Sequence, residues 1–206
     1  MNPPNDRRRV LSWMGAAALS PLALTPVLAD DHRATPAMTE GPFYPRSMPR
    51  DSDADLTRVE GNAARAKGTP LAVSGRVVDR SGKPVAGSRV EIWQCDNNGV
   101  YHLVGEPEAA IDAGFQGFGA VSTDAEGRYA FNTIKPVAYP GRTPHIHVAV
   151  LEGRRRRLTT QFFLEGDPGN ARDGIYRHLG ADAKLVTMKL EQAGAGLRTS
   201  LDIVLA

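Results

Sequence analysis

The chain has one cysteine, Cys95, in 206 residues. An intramolecular disulfide is therefore excluded. Cys95 sits beside Trp93 in an apolar stretch, and the expected state is a buried, inert thiol rather than a nucleophile. Helical periodicity is also scarce. Only "DGIYRHLGADA", Asp173–Ala183, suits a helix, and a short one. A charge excess is missing too. The 25 basic and 23 acidic residues include Arg7, Arg8, Arg9 and Asp6 near the N-terminus, and without residues 1–29 the balance is near neutral. Nothing in that balance suits nucleic acid or an anionic membrane.

The one long apolar run follows those arginines. It extends from about Val10 to Leu28 and ends in Val27-Leu28-Ala29. It is too short and too broken by proline for a stable membrane anchor. Small residues at the end suit a signal peptidase, so residues 1–29 are expected to be a cleavable export signal. Arg7-Arg8-Arg9-Val10-Leu11 also resembles the twin-arginine signal, two arginines, any residue, then two apolar ones. The expectation is a periplasmic protein exported already folded. The alternative is an ordinary, arginine-rich secretory signal.

Residues 30–69 are polar, with little periodicity, and suggest an extended arm with local turns. Within it "TEGPFYP", Thr39–Pro45, is a proline-clamped aromatic pair. From residue 70 the texture changes. "LAVSGRVVD" alternates, "RSGKP" turns the chain, and "SRVEIWQCD" alternates again, which predicts a hairpin. "DAEG" is another turn. "RYAFNTI", "HIHVAVL", "LTTQFFL" and "LRTSLDIVL" follow. The arginine run Arg154–Arg157 reads as a solvated hairpin tip. Many short strands with turn residues between them predict an all-β fold, an antiparallel β-sandwich over residues 70–206 with little helix.

His145 and His147 head one of these strands. Side chains at i and i+2 share a face, about 7 Å apart along the strand, so two imidazoles can converge on one ion. Two polar residues on a solvated face are the plain alternative. Pro144 and the apolar surroundings favour a metal. The remaining ligands have two possible sources. Glu152 completes H-x-H-x4-E, the first half of a cupin pattern for Fe(II) or Mn, but the second half is missing and the setting of His178 does not fit. The other source is tyrosine. Of five, Tyr44, Tyr101, Tyr129, Tyr139 and Tyr176, Tyr129 lies inside a strand and suits packing. Tyr101 follows the "DNNG" turn, and Tyr139 lies in a proline-bounded loop before the histidines. Loops on a rigid scaffold are where sites tend to sit. Phenolate is a hard anion suited to Fe(III).

The ordered set "TEGPFYP", "GRVVDRSGKPVAGSRVEIWQCDNNGVY", "STDAEGRYAFNTIKPVAYPGRTPHIHV" and "LTTQFFLEGDP" resembles the intradiol ring-cleavage dioxygenases. The resemblance implies Fe(III) held by Tyr101, Tyr139, His145 and His147. It implies a small aromatic diol and O2 as substrates, cleavage between the two hydroxyl-bearing carbons, and a muconate-type diacid as product. Tyr139 would give way to substrate, and Arg142 would stabilise developing negative charge. Gln161 would lie near iron and substrate, and Tyr44 would line the pocket mouth. The chain departs from the pattern in a short Tyr139–His145 loop, in Gly141 where an aromatic often sits, in the absence of an N-terminal helical domain, and in its export signal. Protocatechuate, catechol, hydroxyquinol and larger catechols all stay open as substrates, as does a homo-oligomer. The rivals are a cupin-like Fe(II) or Mn oxygenase using Glu152 and a non-enzymatic, transthyretin-like binding module.

Overall fold

The computed structural model describes residues 32–102 and 111–206. The export signal expected at residues 1–29 lies outside them. Ten strands and one short helix follow in order: β1 Pro70–Asp79, β2 Arg89–Trp93, β3 Phe118–Ser122, β4 Arg128–Ile134, β5 His145–Glu152, β6 Arg155–Leu164, α1 Gly174–His178, β7 Thr187–Met188, β8 Glu191–Ala193, β9 Gly196–Ser200 and β10 Ile203–Leu205. Two 3₁₀ turns, Pro168–Ala171 and Gly180–Val186, flank α1. Among the described residues no helix is long and apolar enough to cross a membrane.

The strands form two facing sheets. One carries β10, β1, β9 and β8, with β4 on the other side of β1; the second runs β3-β2-β5-β6-β7. The expected β-sandwich is present, with two corrections. First, β1 and β2 are not a hairpin. Both edges of β1 are taken, one by β4 and the other by β9 and then β10. With no edge left to pair, β2 crosses to the second sheet and lies between β3 and β5. Second, the sheets are mixed. β1 pairs parallel with β9 and β10, and β6 pairs parallel with β7. The α1 region carries the chain back after β6, and a return of that kind delivers a parallel neighbour.

Alternation in β1, β2, β4 and β5 builds the interior. Leu71, Val73, Val90, Ile92, Phe131, Ile146 and Val148 meet between the sheets. Gly75 is required where β1 passes Leu201, because a Cβ there would stand 2.0 Å from the Leu201 carbonyl oxygen. The outer face of the second sheet is covered as well. There Trp93, Cys95, Tyr101, Phe118 and Ala149 form a smaller cluster with Phe43, Tyr44 and Tyr139. Hence β5 is buried on both faces.

The arm supplies that cover. Residues 32–69 run extended along the sandwich, tied by Thr35 N–H to Val204 O, Met38 N–H to Thr159 O and Ala120 N–H to Ser52 O. Leu56, fully buried, enters the main core. The arginine run is only partly a hairpin tip. Arg154 and Arg155 are exposed, but Arg156 pairs with Glu40 of the arm and Arg157 pairs with Glu152.

Candidate metal centre

His145 and His147 project from the outer face of β5, both about 1% exposed. His145 Nδ1 lies 2.7 Å from the carbonyl of Thr143. A carbonyl only accepts, so Nδ1 carries the proton and Nε2 keeps its lone pair. That Nε2 is 3.1 Å from Nε2 of His147. Burial lowers the His145 pKa to about 4, with help from the Arg142 charge. Burial, then the charges of His145 and Arg142, push His147 well below the ordinary range. Both rings are neutral at neutral pH; His145 Nε2 offers its lone pair, and His147 Nε2 can turn the same way to a cation once its proton sits on Nδ1. Two cis nitrogens on an ion about 2.1 Å away would sit about 3 Å apart, which matches. Trp93 stacks on His147 at 4.8 Å and 10°, fixing the ring plane.

Tyr101 follows a turn built by Asp96. That carboxylate, fully buried, accepts from Asn98 N–H and Val100 N–H on Oδ1, and from Asp112 N–H on Oδ2, which also meets His102 Nε2. Tyr139 begins a tight turn closed by Arg142 N–H to its carbonyl at 2.9 Å. Gly141 makes that turn possible with φ +84°. The four rings form a closed circuit. Centroid separations are 5.6 Å from Tyr101 to Tyr139, 5.5 Å from Tyr139 to His145, 4.7 Å from His145 to His147 and 6.1 Å back to Tyr101.

The circuit fits a metal. The Tyr101 hydroxyl and His147 Nδ1 are buried without a hydrogen-bond partner among the described residues, a cost that a bound cation offsets for the phenol. Burial raises both phenol pKa values. For Tyr101 the Cys95 and Tyr139 charges add to it, and for Tyr139 the Arg142 charge partly opposes it. A trivalent cation would reverse that direction. Among the described residues no group of three or more His, Cys, Asp and Glu is placed to hold a metal. Glu152 is five residues along β5 from His147, about 17 Å away, and is paired with Arg157. The cupin arrangement is therefore not assembled.

The remaining predicted residues divide. Arg142 reaches the circuit, with Nε 2.8 Å from Asp173 Oδ2 and Nη2 donating to Gln161 Oε1. Gln161 pairs with His147 across the β5–β6 ladder, and its amide donates to Thr39 O. Tyr44 stays apart from the ring circuit. Its hydroxyl donates to Glu91 at 2.8 Å and its ring lies edge-on to Trp93, under Arg156. Its neighbour Phe43 takes the place against the circuit, stacked on Tyr101 at 4.1 Å and edge-on to Tyr139. Phe43 stands in the "TEGPFYP" segment, but nothing local marks which aromatic turns inward. Asp173 was also missed. Its signal is an Asp before a short helix, and it caps α1 through Ile175 N–H and Tyr176 N–H. Burial opposes its charge, but hydrogen bonds from Arg142, Tyr176 and Thr143 hold its pKa below the usual range. Tyr129 packs in the core, its hydroxyl 2.6 Å from Leu201 O. Cys95 is buried, and desolvation with the Asp96 charge pushes its thiol up to about 11, as an inert thiol requires.

Comparison with known proteins identifies the family. A family model described as "Dioxygenase" matches residues 39–206. The protocatechuate 3,4-dioxygenase beta chain of Burkholderia cepacia is 42% identical over 134 residues, covering 61% of this chain and 57% of its own. A hydroxyquinol 1,2-dioxygenase of Nocardioides simplex is 30% identical over 194 residues, covering 84% of this chain and 62% of its own. The chain thus spans roughly half to three fifths of the length of these curated relatives. Among solved structures, the dioxygenase domain of a dioxygenase carbohydrate-binding fusion from Streptomyces sp. SirexAA-E superposes with a TM-score of 0.68 at 33% identity, over 84% of this chain and 98% of that one. The sandwich, the match over residues 39–206 and these relatives together show that the chain belongs to the intradiol ring-cleavage dioxygenase family.

Proposed function

We propose that the chain is an Fe(III) intradiol dioxygenase. It cleaves a catechol-type ring between the two hydroxyl-bearing carbons, with both atoms of O2 entering the muconate-type diacid product. The observation that carries this is the closed circuit of two neutral imidazoles and two phenols, one phenol buried and the other half-buried. Tyr101, Tyr139, His145 and His147 would hold the ion. When bound, it supplies Lewis acidity that favours the deprotonated catechol.

The chain's own groups divide the remaining work. Tyr101 is locked in place by burial and by Phe43 stacked on its face. Tyr139, on a glycine turn and only half-buried, is the phenol free to swing away. In the tyrosinate form that would hold the ion, its Oη could take up one catechol proton. The Arg142 guanidinium faces the circuit and stabilises negative charge on the substrate ring and its oxygens. Gln161 holds Arg142 from the far side. Phe43 and Trp93 wall the site with apolar surface, which limits water and strengthens the Arg142 field. Export through the twin-arginine route belongs to the same proposal, since it would carry the protein with its centre already assembled.

The test is the purified protein itself. It should hold about one iron per chain, show a red-brown tyrosinate charge-transfer band, and convert catechol to a ring-opened diacid under air. His147→Ala should lose the iron. A colourless iron protein would restore the cupin reading, and a protein that takes up no metal would point to a binding module.

A further inference from the structure

Arg142 is the cation that acts on the ring circuit among the described residues, and a guanidinium on a flexible stem has no orientation of its own. Its Nε is held from outside the sandwich. Asp173 accepts four hydrogen bonds, two on each carboxylate oxygen. Oδ2 receives Arg142 Nε–H at 2.8 Å and Thr143 N–H at 3.0 Å. Oδ1 receives Ile175 N–H at 2.9 Å and Tyr176 N–H at 3.0 Å, the first turn of α1. The carboxylate is 2% exposed and every acceptor position is used. Thr143 repeats the attachment, with its hydroxyl 3.2 Å from Asp167 Oδ1 and 2.9 Å from Asn170 Oδ1. On its other side Arg142 is bounded by Gln161, which is bonded in turn to Thr39 O.

We propose that Asp173 is a positioning residue for turnover: it fixes Arg142 Nε so that the guanidinium plane faces the substrate site, and α1 is the strut that fixes Asp173. The proposal rests on the function proposed above. A five-residue helix is not stable alone, and its one cap is the same carboxylate that holds Arg142. Helix, cap and guanidinium therefore stand or fall as one unit. Misplacing a catalytic group by about 1 Å can cost on the order of a hundredfold in rate.

Two variants test this. In Asp173→Asn the amide has one oxygen, so its NH2 must face donors, either those of Arg142 and Thr143 or those of α1. Asp173→Ser keeps a good helix cap but is too short to reach Arg142. Both should retain iron, colour and the optical change on binding catechol. Both should lower kcat roughly a hundredfold with KM within about threefold. Arg142→Ala/Asp173→Ser should be no slower than Arg142→Ala by more than about twofold, since the pair acts as one. A readout free of metal and activity is the arginine Nε–H signal of ¹⁵N-labelled, chelator-treated protein. The signal missing in Arg142→Ala identifies Arg142. It should exchange slowly in the wild type and rapidly in Asp173→Ser. The proposal is overturned if that protection persists without Asp173, if kcat stays near wild type while only Tm falls, or if the two kcat losses multiply. If the wild type cleaves no catechol, the proposed function fails instead, and the exchange measurement still decides whether Asp173 holds Arg142.

Discussion

Two buried tyrosines should respond to the same substitution with opposite signs. The Tyr101 hydroxyl is buried and makes no hydrogen bond among the described residues, although it is near enough to Tyr139 for each phenol to affect the other's pKa. A buried, unsatisfied hydroxyl costs about 1–3 kcal/mol. Tyr101→Phe removes that cost and keeps the ring that stacks on Phe43 at 4.1 Å. In metal-free protein it should therefore stabilise by about 1 kcal/mol, raising Tm by about 2–4 °C for a domain of this size. The same change deletes one of the four proposed iron donors and should weaken iron binding by more than about a hundredfold. Tyr129 is the control. Its hydroxyl donates to Leu201 O at 2.6 Å, so Tyr129→Phe should cost about 1–2 kcal/mol and leave iron affinity unchanged. Thermal melts of chelator-treated proteins, with chelator competition for iron, measure both quantities. If metal-free Tyr101→Phe melts below wild type, its hydroxyl has a partner and the site is not poised for a cation. If it keeps wild-type iron affinity, Tyr101 is not a ligand.

Other outcomes follow from the same geometry. Glu152→Gln removes a half-exposed ion pair with Arg157 and should change stability by no more than about 1 kcal/mol, with full iron content by metal analysis. Gly75→Ala places a methyl 2.0 Å from Leu201 O and 2.9 Å from the Tyr129 hydroxyl, and should cost at least about 3 kcal/mol in denaturant titrations. Acidification should weaken the metal-free protein. The His145 pKa is near 4 when folded and 6.5 in the open chain. The unfolded state therefore gains a proton first as pH falls, and stability is lost between about pH 6.5 and pH 4. The loss is on the order of 3 kcal/mol from His145 alone, and His145→Asn should flatten that slope in urea titrations at stepped pH.

Each residue of the proposed donor set carried a local mark, but the choice of the two tyrosines over Glu152 came from the family resemblance. H-x-H in a strand fixes a shared face, and a tyrosine after "DNNG" or inside "YPGR" sits where a turn must be. Sheet membership was not legible. "LAVSGRVVD", "RSGKP" and "SRVEIWQCD" have every local feature of a hairpin, and only competition for the edges of β1 sends β2 across to the other sheet. Long-range polar contacts were hidden for the same reason. Arg142 and Asp173 are 31 residues apart, and no periodicity links a loop arginine to a helix cap. The arm escaped for another reason. Leu56 is a single apolar residue in a polar stretch, too sparse a signal to mark a buried position, although it lies fully inside the core.

The arm also makes the centre a composite. The sandwich holds the four proposed donors, but Phe43 and the Thr39 carbonyl that receives Gln161 come from a segment outside it. Near Phe43 the segment is fastened through side chains, Tyr44 to Glu91 and Arg156 to Glu40, in addition to the backbone bonds at Thr35 and Met38. The stretch that follows is exposed at Arg46, Ser47 and Met48, the last at 51%. A protease that cuts there would leave Leu56 and both sheets in place. The product would be a folded protein in which one wall of the proposed chamber is held by non-covalent contacts alone and can come away. Its donors would be intact, but water would be free to enter beside Tyr101. Such a fragment would keep its melting transition while its chemistry failed, so folding and catalysis in this chain can be separated by one peptide bond.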